Sequence, residues 1–559
     1  MNARTLDRIG EDVEALTASA PSTPSLAARR GIGWPAWLTR VIGVVFVLAV
    51  WELVAETVLS GRHVLPAPTT VVAKAFEDDL YGSSLGATMW EAFRGWVIGT
   101  ALAAVFAAIS ILVPRFEAAI ARLGVISYCI PTVAIGPILI VLFSDDTTKV
   151  TMAALSVFFV TLMGMTVGLR AAPKSVLDYI QSCGGHSGQA LVKVRLRAAI
   201  PASIAGIALG APAAILGAIV GDFMGGTKGL GIVMMQAQSS FQVSRVWAVG
   251  LVSTAVSGLL FAAIAGIGRI FGADALSSAD APDWESRSSS SGADPRTRSR
   301  WLNALASAAE KIAKIVFTVI AVLGAWWALL AIFTLNPYFA RTPLDVWRSL
   351  GRVAGIATRW SQLSDGLIAT LEHATLGFLL GTIAAIVVAA ISLSAVVDAA
   401  VLPIVVMLRS VPLVSMTPLL GLLLGDGDAV IVVTGAIVTF VPSVVTIASG
   451  IRATPAPSLD LFYAYGSSRM DSVVKLRIRY ALPALCSAVK VAVPGAILGS
   501  VLAEWLLGSS GVGHLMAVSI IGSDFNLLWA SATAITIVSL VLYQLINDAE
   551  DLVIRWAVQ

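Results

Sequence analysis

Charge is scarce in this sequence. Asp, Glu, Lys and Arg supply 13% of the 559 residues, where water-soluble domains carry roughly 25%. Apolar residues supply 57%, and the mean hydropathy is +0.86. One water-soluble core could not hide that much apolar surface, so a soluble globular fold is excluded and lipid is the expected solvent. Cysteine is nearly absent. Cys129, Cys183 and Cys486 show no metal-ligand spacing, and two of them sit in apolar runs, so no disulfide framework is expected. The phosphate-cradling Gly-x4-Gly-Lys-Ser/Thr loop is missing. Any Ser/His/Asp or metal-binding constellation is missing too, so neither catalysis nor a bound metal or cofactor is expected of this chain. The first 30 residues lack the short apolar core behind a basic start that marks a cleavable leader, and they read as a cytoplasmic tail. The net charge of +3 is too small to suggest a nucleic-acid partner.

Long apolar runs are abundant, and a helix needs about 20 such residues to cross the hydrocarbon. Spans are expected at about 38–59, 86–113, 117–143, 149–170, 199–224 and 243–272, and again at 313–334, 369–394, 398–424, 428–450, 482–507 and 526–546. Continuous runs favour helices over the alternating strands of a barrel. Between the two sets lies a Ser-, Asp-, Arg- and Pro-rich stretch with almost nothing to bury, a solvated linker. The layout is thus a tail at 1–37, a first repeat at 38–272, a linker at 273–312, a second repeat at 313–546 and a tail at 547–559.

The two repeats match residue by residue. At an offset of 282, Asp178 falls on Asp460, Gly184 on Gly466, Lys193 on Lys475, Arg195 on Arg477 and Pro201 on Pro483. Gly95 and Gly99 fall on Gly377 and Gly381, while Gly226, Gly229 and Gly231 fall on Gly508, Gly511 and Gly513. Pro131, Pro137 and Asp145 meet Pro412, Pro418 and Asp426 with the register shifted by one. Arg29, Arg30, Arg40, Arg115, Arg122 and the basic loop at 171–199 lie on one side, which the positive-inside rule makes cytoplasmic. An even number of spans per half puts both termini and the linker there. The expectation is an all-α membrane protein of two parallel tandem repeats, about six transmembrane helices each and about twelve in all.

The loop at 171–199, repeated at 451–481, is too polar for membrane and too patterned for disorder. Residues 174–183 can form a helix that Gly184 and Gly185 end, because glycine accepts left-handed geometry. Ser187 can cap a second helix whose Ala190, Leu191 and Val194 share one face. Lys193 and Arg197, four residues apart, mark another face with Arg195 nearby, and Pro201 marks the return to the membrane. The second copy has Asp460, Gly466, a helix led by Ser468, then Lys475, Arg477, Arg479 and Pro483. An apolar stripe on such a knob needs a partner to cover it.

The pattern acid-x5-Gly-x16-Pro before an apolar span resembles the EAA loop of ABC importer permeases, and each half resembles the nitrate/sulfonate/taurine group of the binding-protein-dependent family. Supporting pieces are Leu65 to Pro68 after span one, Arg94 and Gly95, the paired prolines of span three, and Asp222 and Glu504 ahead of Gly229-x-Gly231 and Gly511-x-Gly513. Asp178, Tyr179 and Ile180, and in the second half Asp460, Leu461 and Phe462, stand where the family has Glu-Ala-Ala. Arg197 and Arg479 replace its first proline. The resemblance implies a type I importer permease fold in a bacterial-type inner membrane, with both loops docking two copies of a cytoplasmic ABC ATPase. ATP and Mg would be used by that partner. It also implies an external solute-binding protein and a small cargo of the nitrate, sulfonate, taurine, aromatic-acid or vitamin-precursor class.

Ionisable residues inside spans are functional candidates, since an unpaired charge there costs ~2.5–3.5 kcal/mol or more. Asp222 and Glu504 stand near the outer mouth, either as part of an external gate or of the floor that meets the binding protein, or as interfacial acids, solvated or salt-bridged to hold the halves together. Arg94 can snorkel or pair. His373 reads as a hydrogen-bonded interior histidine. Arg409, matched by Tyr128, is the candidate for contacting an anionic solute, with a structural pairing as the alternative. Pro131, Pro137, Pro412 and Pro418 are pivots or pore-lining positions on the translocation path, or else simple kinks. The rival to an importer permease is an ion-coupled secondary transporter, which would need paired acids or broken helices near the midplane. A channel or a membrane scaffold is the other.

Overall fold

The computed structural model describes residues 36–57, 66–77, 80–131, 145–270, 337–351, 356–393, 413–425, 427–468 and 471–558, with scattered positions at 135–136, 138–140, 143, 309, 313, within 316–331, and at 405. The N-terminal tail, nearly all of the linker, Pro137, Arg409 and Pro412 lie outside the described residues. All regular elements among the described residues are helices. The first half runs α1 (Ala36–Thr57), α2 (Pro68–Glu77), α3 (Leu80–Leu112), α4 (Pro114–Cys129), α5 (Asp145–Arg170), α6 (Lys174–Ser182), α7 (Ser187–Ala190), α8 (Leu196–Gly225), α9 (Leu230–Ser239) and α10 (Val243–Ile270). The second runs α11 (Pro343–Gly351), α12 (Ile356–Ile391), α13 (Leu413–Leu424), α14 (Asp428–Arg452), α15 (Ala456–Ala464), α16 (Ile478–Leu507), α17 (Gly511–Ile521) and α18 (Phe525–Val558).

Eight helices among the described residues are long and apolar enough to cross a membrane: α3, α5, α8, α10, α12, α14, α16 and α18. Each coincides with an expected span. Helix α1 occupies the first expected span, whereas the expected spans at 117–143, 313–334 and 398–424 fall partly outside the described residues. Helix α18 continues to Val558, through the region expected as a C-terminal tail.

The two halves are packed alike. Helix α8 lies on α5 and α5 on α3; in the second half α16 lies on α14 and α14 on α12. Small residues make that contact possible. A methyl on Gly95 would stand 2.4 Å from the Ala153 Cβ, and one on Gly99 2.6 Å from the Ala154 carbonyl oxygen. Gly377 and Gly381 meet Val432 and Ala436 in the same way. Such close approach of backbones is how helices gain contact where lipid is as apolar as any side chain. The opposite faces of α3 and α12 leave Val97, Leu102, Val105, Leu376, Leu380, Ile383 and Val387 exposed, as a lipid-facing surface requires. The halves also interlock. Helix α13 packs on α10 and α8, α4 packs on α18, and Leu419 and Leu502 of the second half join the first half's core.

Candidate functional site

The two polar loops fold as the same bent hook. Helix α6 ends at Ser182 with Cys183 as its C-cap, and Gly184 follows at φ +75. The Gly184 N–H donates to the Gln181 carbonyl and the Gly185 N–H to the Ile180 carbonyl, both at 2.9 Å. Helix α15 closes identically: Gly466 sits at φ +74, its N–H bonds to Tyr463, and the Ser467 N–H bonds to Phe462. Each is a Schellman closure with glycine in the left-handed position. Both glycines are exposed, and a methyl on either would meet nothing within 4 Å.

Three details differ from the sequence expectation. Helix α7 is led by His186, whose carbonyl accepts the Ala190 N–H, so Ser187 is its first helical residue; Ser468, the counterpart of His186, accepts the Asp471 N–H at 3.0 Å as a true cap. The second hook helix does not end before the membrane. A π-helical turn, Leu191–Arg195 and again Ser472–Arg477, carries it into α8 and α16. Pro201 and Pro483 therefore lie inside those helices. Finally, the Ala190 and Leu191 face is covered by the chain itself, with Leu191 sharing a buried cluster with Ile120, Leu162 and Leu169. The apolar residues left bare are others: Val176, Tyr179, Val192 and Leu196 in the first hook, and Leu461, Tyr463, Tyr465, Val474 and Ile478 in the second. Asp178, Asp460, Lys193 and Lys475 are exposed. Lys475 pairs with Asp471 at 2.7 Å, Arg195 reaches the Leu169 carbonyl at 3.5 Å, and Arg477 is half-buried.

At the far ends of α8 and α16 sit the two acids. Asp222 and Glu504 are wholly buried, so neither is a solvated interfacial acid. Among the described residues, each acid takes its hydrogen bonds and ion pairs from its own half. The Asp222 carboxylate accepts the Thr88 hydroxyl at 2.8 Å and the Gly231 N–H at 3.3 Å, and Lys149 Nζ stands 3.3 Å away. Lys149 is itself buried and also bonds to Glu91 at 3.2 Å and to the Lys228 carbonyl at 2.9 Å. Glu504 accepts Thr370 at 2.8 Å and the Gly513 N–H at 3.0 Å, and contacts His373 Nδ1 at 2.9 Å; His373 Nε2 faces Asp428 at 3.3 Å. Thr88 and Thr370 accept the Leu230 and Val512 N–H groups, each at 2.8 Å. Acid and threonine thus cap the orphan N–H groups that open α9 and α17.

This explains the glycines that follow each acid. A methyl on Gly229 or Gly511 would lie 2.2 Å from the carboxyl group of Asp222 or Glu504, and their φ values are +141 and +91. The sequence showed the acids but not Thr88, Glu91, Lys149 or Thr370. Among the remaining candidates, Arg94 is exposed and Pro131 is buried. Pro131 follows the extended residue Ile130, so it ends α4 rather than kinking it. Pro418 is buried inside α13.

A family model described as binding-protein-dependent transport system inner membrane component matches residues 99–273 and, a second time, 377–555. A protein of Haemophilus influenzae named as a probable ABC transporter permease is 30% identical over 226 residues, which are 40% of this chain and 91% of that protein. A Bacillus subtilis permease named for aliphatic sulfonates transport is 27% identical over 248 residues, 43% of this chain and 90% of its own length. A riboflavin transport system permease of Chloroflexus aurantiacus is 28% identical over 251 residues, 44% and 92%. Less than half of this chain covers each relative almost in full.

Proposed function

This chain belongs to the binding-protein-dependent transport system inner membrane component family, which it matches twice in one polypeptide, and on that premise we propose that it joins both halves of an importer's membrane path. It is the non-catalytic, multi-pass inner membrane permease of an ABC importer; an ion-coupled transporter and a channel are set aside by that membership. In our reading each half has six spans, twelve in all. Each hook docks one of two copies of a cytoplasmic ATPase, and a binding protein delivers the solute from outside. The names of two relatives favour a small solute of the sulfonate or flavin kind. Arg409 is our candidate for meeting an anionic group on it.

The observation that carries the docking assignment is the duplicated left-handed glycine. Both hooks hold a strained-for-others conformation with empty space beside it and bare aromatic and aliphatic residues around it. A partner that fills the space would select glycine there; the fold alone needs only the φ angle. Cys183 gives a direct test, since it is exposed beside Gly184 whereas Cys129 is buried. A membrane-impermeant maleimide should label Cys183 in inside-out vesicles and not in intact cells, and the ATPase should protect it. Gly184→Val with Gly466→Val should abolish copurification of the ATPase and uptake of labelled taurine, methanesulfonate or riboflavin, whichever the wild type carries. Undiminished ATPase capture by that double variant refutes the assignment.

A further inference from the structure

Helix α4 touches three things that no local motif connects. At its start, Glu117 accepts a hydrogen bond from Arg170, the residue that ends α5 just before the first hook. One turn on, Ile120 is buried with Leu191, the residue that opens the π turn behind the same hook. Both roots of the hook are therefore held by the first two turns of α4. At its other end α4 leaves its own half. Ile126 and Cys129 pack with Leu540 of α18. The Tyr128 hydroxyl donates to the Val491 carbonyl of α16 at 2.8 Å, and its ring is fixed by stacking on Phe159, centroids 4.5 Å apart. Between these ends Arg122 lies over the Phe317 ring of the second half, 4.9 Å from its centroid. Val491 stands three residues before Pro494, where α16 lacks a backbone donor and bends most easily.

We infer that α4 is a strut carrying the first hook's displacement into the second half, with Glu117 and Tyr128 as its two positioning residues. The inference rests on the docking of the hooks proposed above. Glu117 grips the hook root by charge, and Tyr128 delivers the movement by one hydrogen bond placed beside the bend in α16. Hook and bend then move together because 16 residues of rigid helix join them.

The test uses the full chain with its ATPase in lipid nanodiscs. Cys183 and Cys486 are changed to Ser, buried Cys129 is kept, and spin labels are placed by Ser239→Cys and Ile521→Cys, the matching exposed ends of α9 and α17. The readout is the change in label separation on adding ATP, magnesium and vanadate. Tyr128→Phe and Glu117→Gln should keep ATP hydrolysis near the wild-type rate while the change in separation falls by half or more, as expected for residues that carry coupling. The exchanged pair Glu117→Arg with Arg170→Glu should restore the change, which a merely damaged helix would not do. A full change in separation in both single variants overturns the strut. Gly184→Val with Gly466→Val run beside them separates the two ideas: if that double variant retains the ATPase, the docking reading falls; if it loses the ATPase while the strut variants respond fully, the strut alone falls.

Discussion

Replacing Lys149 with isoleucine, the residue its counterpart Ile431 already is, tests how each half holds its buried acid. Lys149 is 1% exposed and serves Glu91, Asp222 and the Lys228 carbonyl. Its removal leaves two carboxyl groups facing one another in a buried site. Breaking a buried pair in this way costs about 3–5 kcal/mol, which is roughly 6–20 °C of Tm for a unit of 150–250 residues. The second half shows the remedy. It places His373 where Glu91 stands and Asp428 where Asp146 stands, so Glu504 faces an imidazole instead of a second acid. Lys149→Ile combined with Glu91→His rebuilds that arrangement around Asp222, with Thr88 already in the place of Thr370. The double variant should therefore melt well above Lys149→Ile alone. The coupling should reach about 2 kcal/mol, toward the upper end for neighbours in one network. Thermal unfolding of the purified chain in nanodiscs measures all four corners of the cycle. A Lys149→Ile melting point within experimental error of wild type, or a double variant that falls by the sum of the singles, refutes the reasoning.

Two further outcomes follow from the glycines and the second hook. Gly511→Ala adds a methyl 2.2 Å from the Glu504 carboxyl carbon at φ +91, and should lower the melting point far more than Gly466→Ala, which meets open space and bears only the ~1–2 kcal/mol of left-handed strain; equal shifts would show that the acid can move aside. In the second hook the Asp471 carboxyl is held down to about 2, first by its hydrogen bond from Lys475 and then by that from Ser468. A depressed value means the ionised Asp471 carboxylate favours the folded hook above the ordinary carboxylate value of about 4 and that this contribution is lost as pH falls from there toward 2. Amide exchange at Asp471 and Ser472 should therefore keep constant protection from neutral pH down to about 5 and lose it below about 4; protection already declining at pH 6 would contradict it.

What the sequence made legible was whatever the repeat carried in register. The hooks are an example. Two glycines 282 residues apart, each behind a short helix pattern, can serve one geometry, and both sit within a degree of φ +75. The acids are half an example. Their matched positions were plain, yet their surroundings come from three helices far apart in the chain, so no local spacing pointed to Lys149, which closely follows Asp145 and Asp146 and opens the expected span at 149–170. Comparing the copies would have helped: Thr88 and Glu91 fall on Thr370 and His373 at the same spacing. The π turns left no mark, because Leu191–Arg195 has the composition of an ordinary helix and the extra backbone step is set by packing. The stripe of Ala190 and Leu191 had the right period, but period does not say whether a partner or the chain's own α4 covers it.

The two halves share a fold without sharing its restraints. Helices α8 and α16 each have 30 residues, about 45 Å at 1.5 Å per residue. Each joins a hook at one end to a capping acid at the other with no loop between them. A displaced hook must therefore move the whole rod, and the rod can yield only at its π turn or its prolines. Ahead of the central proline each rod is held by a ring donor from another helix. In the first half that donor is Trp96 of α3, whose indole N–H bonds to the Ile207 carbonyl at 3.2 Å. In the second half the matching residue is Phe378, which has no hydrogen to donate, and the donor is instead Tyr128 of α4, from the other half. One rod is thus steadied by its own half and the other by its neighbour. Exact two-fold symmetry is what a pair of identical chains would impose; fusing the halves into one chain frees them from it, and the Tyr128 bond is where this chain has used that freedom.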